Sequence, residues 1–122
     1  MEDKNIKQRQ FWSGAGGDVW VNKQREMDIM LNPLGDRVIE RLDLKSDAKI
    51  IDIGCGCGAT TLEIAKKITQ GEILGVDISE PMLDKAAETA REMSLSNISF
   101  EVKDVQVDVM PQNYFDVAFS RF

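Results

Sequence analysis

The sequence predicts an α/β fold in three layers, with helices before a parallel sheet of about four strands. One observation is the run Ile-Ile-Asp-Ile-Gly-Cys-Gly-Cys-Gly at residues 50–58, a short apolar strand that leads directly into a glycine-rich turn. The other is the alternation of β-branched segments with segments of helical periodicity after residue 48. Such alternation favours parallel strands joined by right-handed crossovers.

Length and charge limit the class of protein. A chain of 122 residues holds one domain at most, and 15 Lys and Arg against 21 Asp and Glu leave a net charge of -6. This charge disfavours nucleic acid as a partner, because binding a duplex requires a basic surface. No apolar run approaches the length of a membrane span, so we expect no membrane association. The start at residues 1–4 lacks the apolar stretch of a signal peptide, which predicts a cytoplasmic protein.

The residues before the sheet divide into a lid and two helices. Residues 1–20 combine Phe11, Trp12 and Trp20 with a glycine-rich run, which predicts a flexible N-terminal lid segment that folds over something. Alternatively, the two tryptophans fill the edge of the core. Apolar spacing then predicts helices over 21–31 and 34–42, separated by a break at Pro33.

From residue 49 onwards, strands and helices alternate. The predicted elements are strand 49–53, helix 59–69, strand 72–78, a helix from about 81 to 95, strand 98–103 and strand 114–120. Ser79 supplies a capping hydroxyl to the second of these helices, and Pro81 suits its first turn. Residues 105–113 contain at most a short helix. We expect one domain over 21–122, truncated at its C-terminal side, because the chain stops just after an apolar strand.

An apolar strand at the edge of a sheet is a site for pairing. Strand 114–120 therefore permits self-association through its free edge. A non-catalytic interaction module that pairs through this strand is one alternative function.

The glycine turn predicts a small-molecule site. Gly54, Gly56 and Gly58 remove Cβ atoms where the backbone must turn tightly and approach a ligand closely. Asp52 ends a buried strand, so we expect its carboxylate to pair with turn amides or with a cationic or hydroxyl-bearing ligand.

The residues that could do chemistry are few. Cys55 and Cys57 are interpreted as small residues tolerated in the turn, because a disulfide between them would close a strained ring. A lone Cys-x-Cys in a chain without histidine is a poor metal site, so no metal is expected. Any general base must be a carboxylate, Tyr114, a lysine or water.

Two nucleoside cofactors fit the turn. The pattern Gly54-x-Gly56-x-x-Ala59 satisfies the loose dinucleotide fingerprint, which permits a nicotinamide-dependent oxidoreductase. Asp77, at the tip of the second strand, could accept from ribose hydroxyls with either cofactor, or be an ordinary turn residue. Asp52 would repel a pyrophosphate and suits a cofactor with a cationic amino-acid end. Asp104, at the tip of the third strand, adds an acceptor for an adenine amine.

These residues carry a family resemblance. The run from Asp52 to Gly58, then Gly75-Val-Asp77-Ile-Ser79 with Met82-Leu83, Asp104 and Phe115-Asp116-Val117, resembles the class I S-adenosylmethionine-dependent methyltransferases. The branch that it most resembles includes ubiquinone and menaquinone biosynthesis enzymes. The resemblance covers roughly residues 20–122 and implies an incomplete Rossmann-like sheet, with four of the family's seven strands and the fourth beside the first.

The resemblance also implies roles for single residues in binding S-adenosyl-L-methionine and its product S-adenosyl-L-homocysteine. The methionine portion would contact Asp52 and the backbone of Gly54, Cys55, Gly56 and Gly58. Around the nucleoside would lie Asp77 on the ribose, Ile78 on the adenine face, Asp104 and the Val105 amide on the adenine edge, and Met82. Ser120 would lie near the sulfonium, or be an ordinary residue at a strand end. Residues 12–20 and Gln24 fall where related enzymes place a lid. The implied acceptor is a small molecule, and no catalytic residue is assigned.

Overall fold

Three helices precede a four-stranded parallel sheet in the computed structural model, which describes residues 5–121. The helices are α1 (Ile6–Ser13), α2 (Ala15–Asn22), α3 (Gln24–Arg41), α4 (Ala59–Lys67) and α5 (Glu80–Glu92). The strands are β1 (Lys49–Ile53), β2 (Glu72–Asp77), β3 (Ile98–Val102) and β4 (Val117–Phe119). Residues 1–4 and 122, which belong to the predicted lid segment and domain, lie outside the described residues.

The strand order is β3-β2-β1-β4, and each neighbouring pair is parallel. Ile51 of β1 is in register with Leu74 of β2 on one side and with Ala118 of β4 on the other. The chain therefore reverses its direction of travel across the sheet between β3 and β4, and the predicted position of the fourth strand beside the first is confirmed. In α/β sheets, ligands bind at the carboxyl ends of the strands where the order reverses in this way.

The core lies on the face of the sheet that carries Ile50, Ile73 and Phe119. These side chains pack with residues of α3 and α4 in one buried cluster: Ile39, Ala48, Ile64, Ala65 and Ile68 complete it. Helix α5 packs on the same side, against β2 and β3. The parallel α/β architecture is confirmed. Within residues 5–121 the helices that pack on the sheet cover this one face, which accounts for two of the three expected layers.

Helix α3 runs through Pro33, so the predicted break between two helices is wrong. Proline removes one helical hydrogen bond, the one to the carbonyl of Ile29 four residues earlier. Ile29 is 69% exposed, so water can reach that side of the helix. Gly35 and Ile39, which follow the proline, are buried. Their packing holds the helix together across the proline.

The glycine-rich residues before α3 form helices as well. Gly17 lies inside α2, where an added Cβ would collide with the backbone carbonyl of Trp12 in α1. Glycine therefore lets the two short helices approach each other closely. Residues 21 and 22, expected in the next helix, end α2 instead.

The fourth strand is shorter than predicted. Only residues 117–119 pair with β1, and Asp116 before them bonds to Lys49 in a different way. The Lys49 amide donates to Asp116 Oδ2 at 2.9 Å, and the Asp116 amide donates to the Lys49 carbonyl at 2.7 Å. Residues 105–113 contain turns and no helix.

Candidate functional site

A cavity of about 470 Å³ opens at the carboxyl ends of β1, β2 and β3. Its lining comes from the glycine turn, from the tips of β2 and β3, and from the N-terminal helices. The lining includes Asn5, Gln8, Trp12, Trp20, Asp28, Ile53, Gly54, Cys55, Gly56, Cys57, Thr60, Asp77, Ile78, Met82, Lys103, Asp104, Val105 and Arg121. Pockets for small ligands typically have volumes of about 300–1,000 Å³, so this cavity can hold a nucleoside-sized ligand.

The glycine turn is held in a left-handed conformation. Gly56 has a φ of 57° and Gly58 a φ of 86°, values that favour glycine. An added Cβ on Gly56 would lie 2.7 Å from Met82 Cε, and one on Gly58 would lie 2.9 Å from Ala86 Cβ. Because these two residues lack Cβ atoms, the turn can pack closely against α5. The backbone of the turn at Gly54 and Gly56 faces the cavity.

Asp77 connects the tip of β2 to the glycine turn. Its Oδ2 accepts from the Gly56 amide at 2.9 Å, and its Oδ1 accepts from the Ser79 amide at 2.8 Å. Ser79, which is fully buried, caps α5 by accepting from the Met82 amide at 3.5 Å, so the predicted cap is confirmed. The Asp77 carboxylate is thus oriented before any ligand binds.

Asp52 is buried beneath the turn and does not line the cavity. Only 1% of its surface is exposed. The hydroxyls of Thr60 and Thr61 donate to its Oδ2 at 2.8 and 2.7 Å, while Oδ1 has no hydrogen-bond partner among residues 5–121. The expected pairing with turn amides is therefore wrong, since two hydroxyls from α4 take that role. Burial raises the pKa of Asp52 to about 6, and the hydrogen bonds from the two threonines limit the rise.

Asp104 follows β3 and contacts the N-terminal helix. Its Oδ2 accepts from Asn5 Nδ2 at 2.9 Å and from Arg9 Nη2 at 3.4 Å, and its Oδ1 accepts from the Gln106 amide at 3.1 Å. The Asp104 amide donates to Asp108 Oδ2 at 2.7 Å. The hydrogen bond from Asn5, assisted by Gln106 and Arg9, lowers the pKa of Asp104. This carboxylate is therefore a strong acceptor that is already engaged.

The two cysteines are free thiols, both buried. Burial raises the pKa of Cys57 to about 11 and that of Cys55 further still. Because the thiolate is the reactive form, neither residue has the character of a nucleophile.

Three aromatic side chains of α1 and α2 contact one another next to the cavity. Trp12 makes edge-to-face contacts with Phe11 and Trp20, with ring centroids 5.0 and 6.1 Å apart. Trp12 and Trp20 both line the cavity, together with Gln8. They form one wall of the site, and neither tryptophan belongs to the buried core cluster.

Comparison with known proteins identifies the family. A profile described as a methyltransferase domain matches residues 44–121. The chain belongs to this methyltransferase domain family. The recognition of an S-adenosylmethionine-dependent methyltransferase from its motifs is confirmed, and the resemblance to the ubiquinone and menaquinone branch stays a prediction.

Individual relatives share less than half of their length with this chain. Aklanonic acid methyltransferase DauC from Streptomyces sp. (strain C5) is 33% identical over 91 residues, which are 74% of this chain and 41% of that enzyme. The 23S rRNA (uracil(1939)-C(5))-methyltransferase RlmD from Alcanivorax borkumensis is 32% identical over 83 residues, 68% of this chain and 18% of that enzyme. The crystal structure of coclaurine N-methyltransferase, bound to N-methylheliamine and SAH, superimposes with a TM-score of 0.67 and 25% identity, covering 72% of this chain and 26% of that one.

Within this methyltransferase domain, the cavity brings together most of the residues singled out from sequence. Its lining includes eight of them: Gly54, Cys55, Gly56, Asp77, Ile78, Met82, Asp104 and Val105. Asp52, Gly58 and Ser120 lie outside the lining. The Ser120 hydroxyl donates to the Ile53 carbonyl at 2.9 Å.

Sequence reasoning missed several residues of the site. Asp28 of α3 and Arg121 after β4 both line the cavity, and Arg121 Nη1 donates to Asn32 Oδ1 at 3.3 Å. Burial raises the pKa of Asp28. No sequence motif marks these two residues, because they reach the site through tertiary packing: α3 packs on α4, and Arg121 contacts Asn32 of α3. Thr60 and Thr61 could have been found, since a buried carboxylate requires donors and these hydroxyls begin the next helix.

Proposed function

We propose that this chain is the cofactor-binding part of an enzyme that transfers a methyl group from S-adenosyl-L-methionine to a small-molecule acceptor. One observation carries the proposal. Asp77 and Asp104, at the tips of adjacent strands, face one cavity beside a glycine turn whose backbone is open to a ligand. This arrangement provides acceptors for ribose hydroxyls and for an adenine amine at the same time.

The charges around the cavity support this cofactor. S-adenosyl-L-methionine carries a sulfonium and an ammonium group. Three carboxylates, those of Asp28, Asp77 and Asp104, line the cavity together with two cationic side chains, Lys103 and Arg121. A fourth carboxylate, Asp52, lies behind Thr60 and has a buried oxygen without a partner among the described residues. Four carboxylates against two cationic side chains leave a negative balance of charge, which stabilises a cationic ligand and disfavours the pyrophosphate of a nicotinamide dinucleotide. The donor set therefore fits the methyl donor better than the rival cofactor.

Each lining residue has a role in this proposal. The turn at Gly54 and Gly56 would hold the methionine portion, with Asp52 contributing its charge from behind. Asp77 would accept from the ribose hydroxyls, and Asp104 with the Val105 amide would bind the adenine edge. Ile78 and Met82 would pack against the nucleoside, and we assign no direct contact to Gly58 or Ser120.

The bound cofactor would supply an electrophilic methyl group, and the chain would supply orientation. Displacement at that carbon requires the acceptor to lie in line with the breaking bond. Trp12 and Trp20, at the wall of the cavity, would exclude water from this region. We propose residues 1–20 as a lid on that basis, with the methyltransferase domain over 21–122. No general base is assigned to this chain.

The acceptor class follows from charge. A net charge of -6 supports a small-molecule acceptor over RNA, although one relative is named as an rRNA methyltransferase. In a low-salt mobility-shift assay we expect no shift of structured RNA, and a shift would contradict this choice. Among residues 5–121, no helix combines the length and apolar character needed to cross a membrane. We further propose the cytoplasm as the compartment.

Calorimetric titration tests the cofactor. We expect S-adenosyl-L-homocysteine to bind and NADH to give no heat of binding. Binding of NADH alone would contradict the methyltransferase proposal and support the oxidoreductase.

A second candidate rests on β4, the edge of the sheet in the described residues. A module that pairs through this strand with a second copy would sediment as a dimer at micromolar concentrations. A monomer across that range would exclude self-association as the function.

A further inference from the structure

One face of α1 contacts the two loops to which we assign the adenine. Asn5, the residue just before α1, and Arg9 and Ser13 within it are spaced four residues apart, so they lie on one side of the helix. Asn5 and Arg9 donate to Asp104 Oδ2, and the Ser13 hydroxyl donates to the Ile78 carbonyl at 3.3 Å. Polar contacts of this face therefore reach both Asp104 and Ile78.

The contact with Asp104 is close and shields the carboxylate. Only 3% of the Asp104 side chain is exposed, whereas 44% of the Arg9 side chain is exposed. Oδ1 is also engaged, by the Gln106 amide. Asn5 and Arg9 thus cover the carboxylate on the side that faces α1.

The donors on α1 resemble the group that the site is proposed to bind. An exocyclic adenine amine presents N–H donors, as do the Asn5 amide and the Arg9 guanidinium. The Asn5 amide and the Arg9 guanidinium both donate to Asp104 Oδ2. A nucleobase amine would therefore compete with them for the same acceptor. An ionised carboxylate forms strong hydrogen bonds with each of these groups, and the competition is therefore between contacts of similar kind.

We propose that α1 is an autoinhibitory latch, in which Asn5 and Arg9 occupy the adenine acceptor Asp104 until the cofactor displaces them. This inference rests on the proposed function, because it requires Asp104 to bind the adenine. When only a fraction of the molecules is open, the apparent dissociation constant increases by the inverse of that fraction. Weakening the latch should therefore tighten cofactor binding.

The test compares three proteins: the unmodified chain, the double variant Asn5→Ala/Arg9→Ala and the control Lys7→Ala. Lys7 is exposed on α1. Lys7→Ala removes one positive charge from α1, as Arg9→Ala does, and so controls for the change in charge. Titration with S-adenosyl-L-homocysteine should show about fivefold to tenfold tighter binding to the double variant, with the control unchanged. Stopped-flow mixing should show a faster association for the double variant alone.

The outcomes separate the latch from the proposed function. Equal or weaker binding by the double variant, with normal binding by the other two proteins, would overturn the latch and leave the proposed function standing. Absence of binding by all three would overturn the proposed function and the latch with it. If thermal melting shows that the double variant is unfolded, Arg9→Gln replaces it, because glutamine preserves the helix. The same tightening is then expected in weaker form, and unchanged affinity overturns the latch.

Discussion

The Gly56 amide donates to Asp77 Oδ2 over 2.9 Å and so links the turn after β1 to the tip of β2. The residue proposed to bind the ribose also holds the backbone proposed to surround the methionine portion. A change at Asp77 should therefore affect binding and stability together.

We expect Asp77→Ala to abolish detectable binding of S-adenosyl-L-homocysteine while the fold persists. The variant loses the acceptor for the ribose and leaves the amides of Gly56 and Ser79 unpaired. Loss of these two hydrogen bonds should lower the free energy of unfolding by roughly 1–3 kcal/mol. Calorimetric titration and urea denaturation measure the two effects. Asp84→Ala, on the exposed side of α5, is the control; unchanged affinity in Asp77→Ala would refute the ribose assignment.

Asp52→Asn should stabilise the protein at neutral pH and weaken cofactor binding. The folded-state pKa of Asp52 is about 6, against an ordinary value of 3.8, so the folded state binds more protons between these values. The contribution of Asp52 to the free energy of unfolding therefore falls as pH rises from about 4 to 6, and it stays low above pH 6. Removing the buried charge should recover about 1–3 kcal/mol at pH 8.

Urea denaturation of both proteins at pH 4.5 and pH 8 measures this effect. The gain in Asp52→Asn should be larger at pH 8, and affinity for S-adenosyl-L-homocysteine should fall because the negative charge beneath the turn is lost. If the gain in stability of Asp52→Asn over the unmodified chain is smaller at pH 8 than at pH 4.5, the pKa assignment is contradicted.

Gly58→Ala should destabilise the fold more than Gly56→Ala. Both residues have positive φ, so alanine is strained at either position, by about 1 kcal/mol or more. The new methyl group on residue 58 would meet Ala86 Cβ, which cannot move without α5, whereas on residue 56 it would meet the flexible end of Met82. We expect losses of roughly 2–4 and 1–2 kcal/mol respectively in urea denaturation. The reverse order would show that α5 shifts readily.

The cysteines should react slowly with iodoacetamide in the folded protein at pH 8. Burial raises the pKa of both thiols, and the thiolate is the reactive form. Both cysteines line the cavity, and Cys57 has the lower pKa, so it should react before Cys55. Mass spectrometry of partly labelled protein identifies the site, and S-adenosyl-L-homocysteine should slow the labelling of Cys57. Rapid labelling of both residues, at the rate of urea-unfolded protein, would show that the turn opens.

The sequence predicted the elements near the glycine turn better than those at the chain's ends. Strand β1 was predicted with the observed bounds, because its apolar residues and the following glycines are adjacent. The break at Pro33 was wrong because buried contacts of Gly35 and Ile39 outweigh one missing hydrogen bond. Strand β4 was predicted too long, since apolar character does not show which residues find a partner strand.

The sequence by itself determined the turn and the carboxylates at the tips of three strands. These features depend on neighbouring residues, because left-handed backbone and strand ends are local properties. Only the tertiary structure decided what each carboxylate contacts. Asp52 faces two threonines under the turn, and Asp104 meets Asn5 from 99 positions away in the chain. Such pairs arise from the packing of α1 and α4 around the sheet, and no local pattern in the sequence records that packing.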